Sequence, residues 1–267
     1  MIYIIAITLL VLMIGFVALG FITSNKLEAK EYTVNNSELE GIIITHITDI
    51  HIGDYFTEED LSKTVTLLNN QESDITFFTG DLFEINEISN ELKQQIIDEL
   101  SLITTPLKYA VLGNHDSHTD NKKDIVKDIL VSSGFIVLEN RNEIITINST
   151  EINIIGLEDY MMGDDDYEPV LSTSNDNTLN IVLSHEPDTF DQVSDYPIIA
   201  QFSGHSHGGQ VRFPIIGGLY KVTGAKIYSE DYYTKNNSEL FISFGLGASM
   251  IDIRFYNSKS INTYTFK

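Results

Sequence analysis

Most of the histidine in this chain lies in short polar segments, each beside a carboxylate, an amide or a glycine. Five of the seven histidines occur in them. Imidazole nitrogens together with carboxylate and amide oxygens are typical ligands of Mn, Fe, Zn or Co ions. Each segment follows an apolar run, so the pattern predicts a metal site where buried elements end. The segments are Asp49–His51, Gly80–Asp81, Gly113–Asp116, His185 and Gly204–Gly209.

The spacing of these residues suits a pair of cations. Two ions ~3.5–4 Å apart need a carboxylate that contacts both of them. Asp81 is the natural bridge, because an aspartate after a glycine turn can present both of its oxygens. Asp49 and His51 are two residues apart, so in an extended segment their side chains share one face. His205 and His207 repeat that spacing.

Asn114 and His185 are further candidate metal ligands, whereas two other histidines are not. Asn114 offers a neutral amide oxygen, and His185 closes a run with strand character. His46 lies inside an apolar strand and is predicted to be structural. His118 is predicted to be an exposed loop residue.

Apolar runs and helical periods alternate through the first half of the chain. This order predicts βαβ units and a largely parallel sheet, whose carboxyl ends are where ligands bind. The predicted strands and helices are Ile42–Thr48, Glu58–Asn70 (helix), Asp74–Thr79, Ile88–Leu102 (helix), Leu107–Leu112 and Asp120–Ser132 (helix).

After Gly134 the pattern changes to short runs of strand character separated by Gly, Asn and Asp. They predict a second, more antiparallel sheet stacked on the first. The runs are Phe135–Leu138, Glu143–Ile147, Glu151–Leu157, Leu179–Ser184, Ile198–Ser203 and Ile227–Tyr233.

The first 23 residues carry no charge and are almost wholly apolar. A helix needs ~20 such residues to cross a bilayer, so residues 1–23 are predicted to be a single-pass anchor in the cell membrane. A cleaved signal peptide with Ala18–Gly20 before the cut is the alternative. The missing basic region and the length of the apolar run disfavour it. Acidic residues stand beside Lys26 and Lys30, so the membrane orientation stays open.

The rest of the chain is predicted to be a linker over residues 24–40 and one catalytic domain over residues 41–267. Splitting that domain would split the candidate ligands. The absence of cysteine excludes disulfides and thiolate ligands. A formal charge of −23 and a pI of 4.4 argue against nucleic acid as a partner.

In this order, the segments resemble the calcineurin-like metallophosphoesterase superfamily, over Gly41 to about Phe213. That resemblance implies an α/β fold of two stacked mixed sheets flanked by helices, an α/β/β/α sandwich, here preceded by one transmembrane helix. Gly204–Pro214 and Gly245–Phe255 also resemble a membrane-associated branch, the phosphodiesterases related to UDP-2,3-diacylglucosamine hydrolases.

The resemblance implies two divalent metal ions per chain, with Mn favoured among Mn, Fe, Zn and Co. It also implies that His115 faces the phosphate and that Asp116 orients the imidazole of His115. The implied ligands are Asp49, His51, Asp81 and His207 for the first ion, and Asp81, Asn114, His185 and His205 for the second.

The chain departs from the family pattern at Glu84, where Asp or Arg is usual, and from the branch pattern at Ala248 and Asp252. Two of its three arginines, Arg212 and Arg254, lie in the branch segments. They are predicted to bind substrate, because a guanidinium matches phosphate geometry. Ordinary pairing with surface carboxylates is the alternative.

These observations predict a membrane-anchored phosphoesterase that hydrolyses a phosphodiester or pyrophosphate, plausibly lipid-linked, by attack of metal-bound hydroxide. A broad phosphomonoesterase or nucleotidase is one alternative. A catalytically silent membrane protein that keeps metal for structure is another. The oligomeric state is left open.

Overall fold

The computed structural model describes residues 2–24, 26–248 and 253–267. In these ranges the helices are α1 (Ile2–Ser24), α2 (Glu58–Asn69), α3 (Asn90–Leu100), α4 (Asp120–Ser132), α5 (Glu168–Leu171) and α6 (Phe190–Val193). The strands are β1 (Leu27–Val34), β2 (Ile43–Ile47), β3 (Ile75–Thr79), β4 (Leu107–Val111), β5 (Ile136–Val137), β6 (Arg141–Ile147), β7 (Thr150–Gly156), β8 (Leu179–Leu183), β9 (Ala200–Ser203), β10 (Arg212–Phe213), β11 (Gly217–Gly218), β12 (Tyr232–Lys235), β13 (Ser238–Ile242) and β14 (Lys259–Phe266).

The strands form two large mixed sheets and one short ribbon. The first sheet has the order β1-β14-β2-β3-β4-β5, and only the β14–β2 pair within it is antiparallel. The second has the order β12-β13-β9-β8-β7-β6, with an antiparallel pair at each end. Among the described residues, β10 and β11 form a two-stranded antiparallel ribbon. The predicted class, two mixed sheets flanked by helices, is confirmed.

Alternation along the strands produces three apolar layers. Phe77 packs between the sheets, whereas its neighbour Phe78 packs under helices α2 to α4. In the second sheet, Ile154 faces the first sheet and Ile155 faces α5 and α6. Successive side chains of a strand point to opposite faces, so a sheet covered on both sides is apolar along its whole length.

Helix α2 shows how the sequence fixes these elements. Thr57 caps it in a capping box with Asp60, which satisfies backbone N–H groups at the helix start. Leu61, Val65 and Leu68 are buried on one face, as their helical spacing predicts.

The prediction of a linker over residues 24–40 is wrong for β1. This strand pairs in parallel with β14 along its whole length, and Tyr32 stacks on Tyr264 at 5.1 Å between ring centroids. Charges such as those of Glu28 and Lys30 are typical of an edge strand and obscured it in the sequence. Strands β13 and β14 were also missed, and only the end of the predicted strand Ile227–Tyr233 lies in β12.

The predicted membrane anchor, residues 1–23, corresponds to helix α1. Tyr3–Ile22 is long and apolar enough to cross a membrane, a test that signal sequences also pass. Its length and composition are therefore compatible both with a membrane anchor and with a cleaved signal peptide.

The edge position of β1 makes a prediction about truncation. A chain that begins at Asn35 should be at least ~2 kcal/mol less stable than one that begins at Lys26, because it loses the backbone ladder to β14. In a domain of this size that corresponds to a Tm lower by ~4–8 °C. Thermal unfolding of the two truncated chains measures the difference. Equal Tm values would mean that β1 adds nothing to the sheet.

Candidate metal centre

The seven predicted ligand residues lie in the loops that follow β2, β3 and β4 of the first sheet and β8 and β9 of the second. Because these strands end at the same edge of the sandwich, the loops meet there. All seven are brought together: Asp49, His51, Asp81, Asn114, His185, His205 and His207.

The loops are strained where the ligand side chains turn inward. Five of the seven residues have a positive φ, a conformation that costs free energy in residues other than glycine. Such strain persists only where the surroundings impose it, and it clusters at functional sites. The five are Asp49 (49°), His51 (48°), Asp81 (62°), His205 (62°) and His207 (46°).

Two glycines allow the close approach of these loops. Gly80 has φ 98°, and a Cβ there would lie 2.8 Å from His185 Nδ1. A Cβ on Gly204 would lie 2.3 Å from Asp49 Oδ2. Any side chain at either position would displace a candidate ligand.

The first group of ligand atoms surrounds one point. Asp49 Oδ1 lies 3.3 Å from His207 Nε2, which lies 3.2 Å from His51 Nε2. His51 Nε2 is also 3.5 Å from Asp81 Oδ2. Ligands bound at ~2.0–2.2 Å to a common ion are roughly 3–3.5 Å apart, so this spacing fits a cation.

The second group shares the same carboxylate. Asp81 Oδ2 lies 3.2 Å from His185 Nε2, which is 3.1 Å from His205 Nδ1. Asn114 Oδ1 is buried and has no hydrogen-bond partner among the described residues. Burying such an oxygen is costly unless something binds it, and a cation would do so.

Neighbouring groups orient three of the imidazoles. His185 Nδ1 lies 2.6 Å from the Thr79 carbonyl, and His205 Nε2 lies 2.7 Å from the Thr223 carbonyl. His51 Nδ1 lies 2.9 Å from a carboxylate oxygen of Glu84. A ring N–H that donates to such an oxygen leaves the other nitrogen free to bind metal. The residues present therefore fit two divalent ions.

The electrostatics of the centre favour bound cations. Burial raises the pKa of Asp81, but His185 and His51 outweigh it and hold that pKa well below its usual range. Burial lowers the pKa of His185, but Asp81 outweighs it and raises that pKa well above the usual value. Burial opposes the charge of His51 as well, yet contacts with two carboxylates raise its pKa to about 9. Without metal, positively charged His51 and His185 balance the negative charge of these carboxylates.

Metal loading should therefore release protons. The raised pKa values of His51 and His185 favour protonated rings in the metal-free chain at neutral pH, and ligation requires neutral imidazole. We expect about two protons released per chain, measurable in weakly buffered solution. His51→Gln should release about one fewer. Negligible release from the native chain would mean that both rings are neutral before metal binds.

The structure contradicts the implied role of Asp116. Its carboxylate accepts hydrogen bonds from the backbone N–H groups of Asp81 at 2.7 Å, Leu82 at 2.8 Å and Gly113 at 3.1 Å. It thus ties the β3 and β4 loops together. The imidazole of His115 is contacted instead by Glu84, 3.2 Å from Nδ1.

Glu84 is a site residue that the sequence prediction missed, although its departure from the family pattern was visible. One of its oxygens contacts His51 and His115 together. It therefore links a candidate ligand to the residue predicted to face the phosphate.

Glu84→Gln should keep most of the metal and lower turnover by ~10–100-fold, the effect typical of residues that orient ligands. The amide is of similar size but lacks the negative charge that lies beside both rings. Glu87→Gln, an exposed change in the same loop, is the control. Native turnover in Glu84→Gln would mean that Glu84 does not contribute to the reaction.

The two arginines make contacts within the protein. Arg254 is buried and donates to the carbonyls of Gly247 at 3.0 Å and Phe244 at 2.8 Å, with Nη2 3.5 Å from His207 Nδ1. It supports the loop of a candidate ligand. Arg212 pairs with Glu230 and stacks over Phe244. The hydrogen bonds of Arg254 hold its guanidinium inside the protein, and its contact with substrate stays a prediction.

A cavity of about 240 Å³ opens above the ligands. Its described lining contains neither Arg212 nor Arg254; Met161, Tyr220 and Val222 form an apolar part of its wall. His118 lies in an open depression on the other side of His115. His46 is buried, as predicted, and its Nε2 lies 2.7 Å from Thr79 Oγ1.

Residues 42–209 match the family model described as calcineurin-like phosphoesterase. The chain belongs to this family. A Bacillus subtilis relative, the uncharacterized metallophosphoesterase YkuE, is 31% identical over 95% of this chain and 90% of its own length. The match, the relatives and the ligand clusters make the protein a metal-dependent phosphoester hydrolase.

Two further proteins resemble this chain in sequence or in fold. The UDP-2,3-diacylglucosamine pyrophosphatase LpxG of Chlamydia trachomatis is 28% identical, over 67% of each chain. The Haemophilus influenzae NAD nucleotidase NadN is 15% identical with a TM-score of 0.53, over 81% of this chain and 45% of its own length. The nucleotidase shares the fold, and this chain spans less than half of it.

Proposed function

We propose that this protein is a membrane-anchored phosphodiesterase or pyrophosphatase with a two-metal centre, acting on a lipid-linked substrate. The observation that carries the two-metal centre is the position of Asp81 Oδ2, 3.5 Å from His51 Nε2 and 3.2 Å from His185 Nε2. One carboxylate oxygen thus belongs to both ligand groups. Asp49, His51, Asp81 and His207 would hold one ion, and Asp81, Asn114, His185 and His205 the other.

When bound, the two ions supply Lewis acidity and lower the pKa of a water molecule so that it becomes a nucleophile. Residues of the chain supply proton transfer and hold the bridging carboxylate in place. Glu84 contacts Nδ1 of His115, so Nε2 can give a proton to the leaving oxygen only when the imidazole is doubly protonated. The backbone N–H of His115 donates to Asp81 Oδ1 at 2.9 Å and keeps the bridging carboxylate in place.

The charge of the cavity favours a diester over a monoester. No Lys or Arg occurs among the described residues that line it. A diester carries one negative charge and a monoester dianion two, so the diester needs less positive charge beyond the metals. The apolar wall of Met161, Tyr220 and Val222 suits a substrate with an apolar part. The relative LpxG is named for a lipid-linked pyrophosphate.

The proposal is tested on the full-length protein in detergent with Mn²⁺. We expect faster hydrolysis of bis-p-nitrophenyl phosphate than of p-nitrophenyl phosphate, and cleavage of a lipid-linked pyrophosphate in mixed micelles. Preference for the monoester would favour a phosphomonoesterase or nucleotidase. Inactivity on every phosphoester with each of Mn, Fe, Zn and Co would favour the catalytically silent alternative.

Membrane anchoring is tested separately. We expect the full-length chain in the membrane fraction and a chain that begins at Lys26 in the soluble fraction. Recovery of the full-length protein as a soluble chain shortened near Phe21 would favour a cleaved signal peptide.

A further inference from the structure

The ribbon β10–β11 and the residues after it form an exposed apolar surface, which we call the apolar ribbon (residues 213–220). Ile215, Ile216, Leu219 and Tyr220 are all exposed, and Ile215 is as exposed as in an extended peptide, at 108%. Scattered surface apolar residues are common, but a contiguous group marks a contact with a partner or a membrane.

The conformation of Ile215 is a second, independent observation. Its φ is 76°, in the left-handed region, which hairpin turns normally give to Gly or Asn. For a β-branched residue that region is an outlier. A turn in water would favour a small polar residue, so a strained and fully exposed isoleucine indicates that the tip meets an apolar phase.

The apolar ribbon lies against α1. Phe213 stacks on Phe16 of α1 at 6.5 Å, and Phe255 contacts both rings at 5.5 and 5.8 Å. Tyr256 donates from its hydroxyl to the Phe16 carbonyl at 3.1 Å. A Cβ on Gly20 would lie 2.1 Å from the Phe255 ring, so the glycine allows this close contact.

These contacts set the depth of the apolar ribbon relative to the apolar stretch of α1, which ends at Ile22. Phe16 lies six residues before Ile22, which is ~9 Å along a helix. Interfacial apolar elements enter the bilayer surface by ~5–10 Å. If α1 spans the membrane up to Ile22, Phe213 lies at that depth, and the tip beyond it can reach the lipid.

The charge of residues 213–229 is compatible with a position at the bilayer surface. Residues 213–229 contain no Asp or Glu and two lysines, Lys221 and Lys226, in a chain with a formal charge of −23. The carboxylate of Glu230, which lies beside Gly217, is paired with Arg212, so it presents no unpaired negative charge there for anionic lipid headgroups to repel.

We propose that the apolar ribbon inserts into the surface of the lipid bilayer that α1 spans and holds the mouth of the metal cavity at that surface. Tyr220 belongs to the apolar ribbon and also lines the cavity. A lipid-linked phosphoester can therefore enter from the membrane. This inference rests on the proposed membrane anchoring.

The absence of cysteine makes a direct test possible. Full-length Ile216→Cys carries a polarity-sensitive fluorophore and is reconstituted in vesicles of phosphatidylcholine and phosphatidylglycerol. Ile144→Cys, on an exposed isoleucine of β6, is the matched control. We expect nitroxide-labelled lipid to quench the probe at position 216 and not at 144, and aqueous iodide to do the reverse.

Equal iodide quenching at the two positions would overturn the proposal. Protection of position 216 from both quenchers that grows with protein density would assign the surface to a second copy of the chain, and also overturns it. If washing removes the full-length chain from the vesicles, both the proposed membrane anchoring and this inference are contradicted. The fluorescence measurement does not require catalysis. An inactive enzyme would therefore contradict the proposed activity without affecting the test of membrane contact.

Activity gives a second readout. The double change Ile215→Glu and Ile216→Glu should leave hydrolysis of bis-p-nitrophenyl phosphate in detergent unchanged. It should lower hydrolysis of a lipid-embedded phosphodiester in vesicles by at least about tenfold, because carboxylates resist entry into the bilayer surface. Ile144→Glu should change neither rate. Equal losses on both substrates would mean that the tip acts through folding.

Discussion

Asp81→Ala should abolish turnover and reduce bound metal to one equivalent or fewer per chain. Its Oδ2 is the atom common to both ligand groups, and no other described carboxylate lies between His51 and His185. Loss of one ion removes several kcal/mol of transition-state stabilisation, which corresponds to at least ~10³-fold in rate. Metal analysis of the purified full-length protein and turnover on a diester measure both effects.

Two further variants isolate the bridging role. Asp81→Asn keeps the shape but offers a single neutral oxygen, so it should also lose metal. Asp54→Ala changes an exposed aspartate near the site and should bind two equivalents at native rate. An active Asp81→Ala protein with two full equivalents of metal would contradict the assignment of the centre.

The convergence of the candidate ligands was predictable because each follows a buried strand. Once β2, β3 and β4 are parallel neighbours, the residues after them meet at one edge, whatever the detailed path of the loops. The residue types then restrict the chemistry. The sequence carries this information locally, in strand ends and in the glycines that follow them.

The roles of Asp116 and Glu84 could not be predicted in this way. Asp116 follows His115 directly, yet its carboxylate turns to backbone N–H groups of the β3 loop. Glu84 reaches His115 from another loop. Side chains in loops have no regular period, so adjacency in sequence does not indicate contact, and only the assembled loops reveal the pair.

The surroundings of Gly247 explain why the guanidinium of Arg254 lies inside the protein. Gly247 brings the backbone of its segment close to His51, where a Cβ would lie 2.7 Å from the His51 Cβ. The carbonyls of that segment are then enclosed, and the guanidinium satisfies them. A buried carbonyl without a donor is costly, so the arginine is needed inside. Of the two departures from the branch pattern in this segment, Ala248 is buried and Asp252 lies outside the described residues.

His115→Ala should retain both metal ions and lose turnover by ~10²–10⁴-fold, the contribution of a positioned acid or base. The side chain lines the cavity, while its backbone N–H, which the variant keeps, holds Asp81 Oδ1. The loss should be larger for a substrate with an alkoxide leaving group than for one that releases p-nitrophenol, because the phenol leaves without a proton. Steady-state rates on the two substrates, with metal analysis of each sample, test this.

His118→Ala provides the matched control, since it removes an exposed histidine from the same loop. It should bind metal and turn over at the native rate. An equal loss on both leaving groups in His115→Ala would mean that the imidazole positions the substrate without donating a proton. Loss of metal in His115→Ala would make His115 a ligand, since its ring lies 4.8 Å from that of His51 and could share an ion with it.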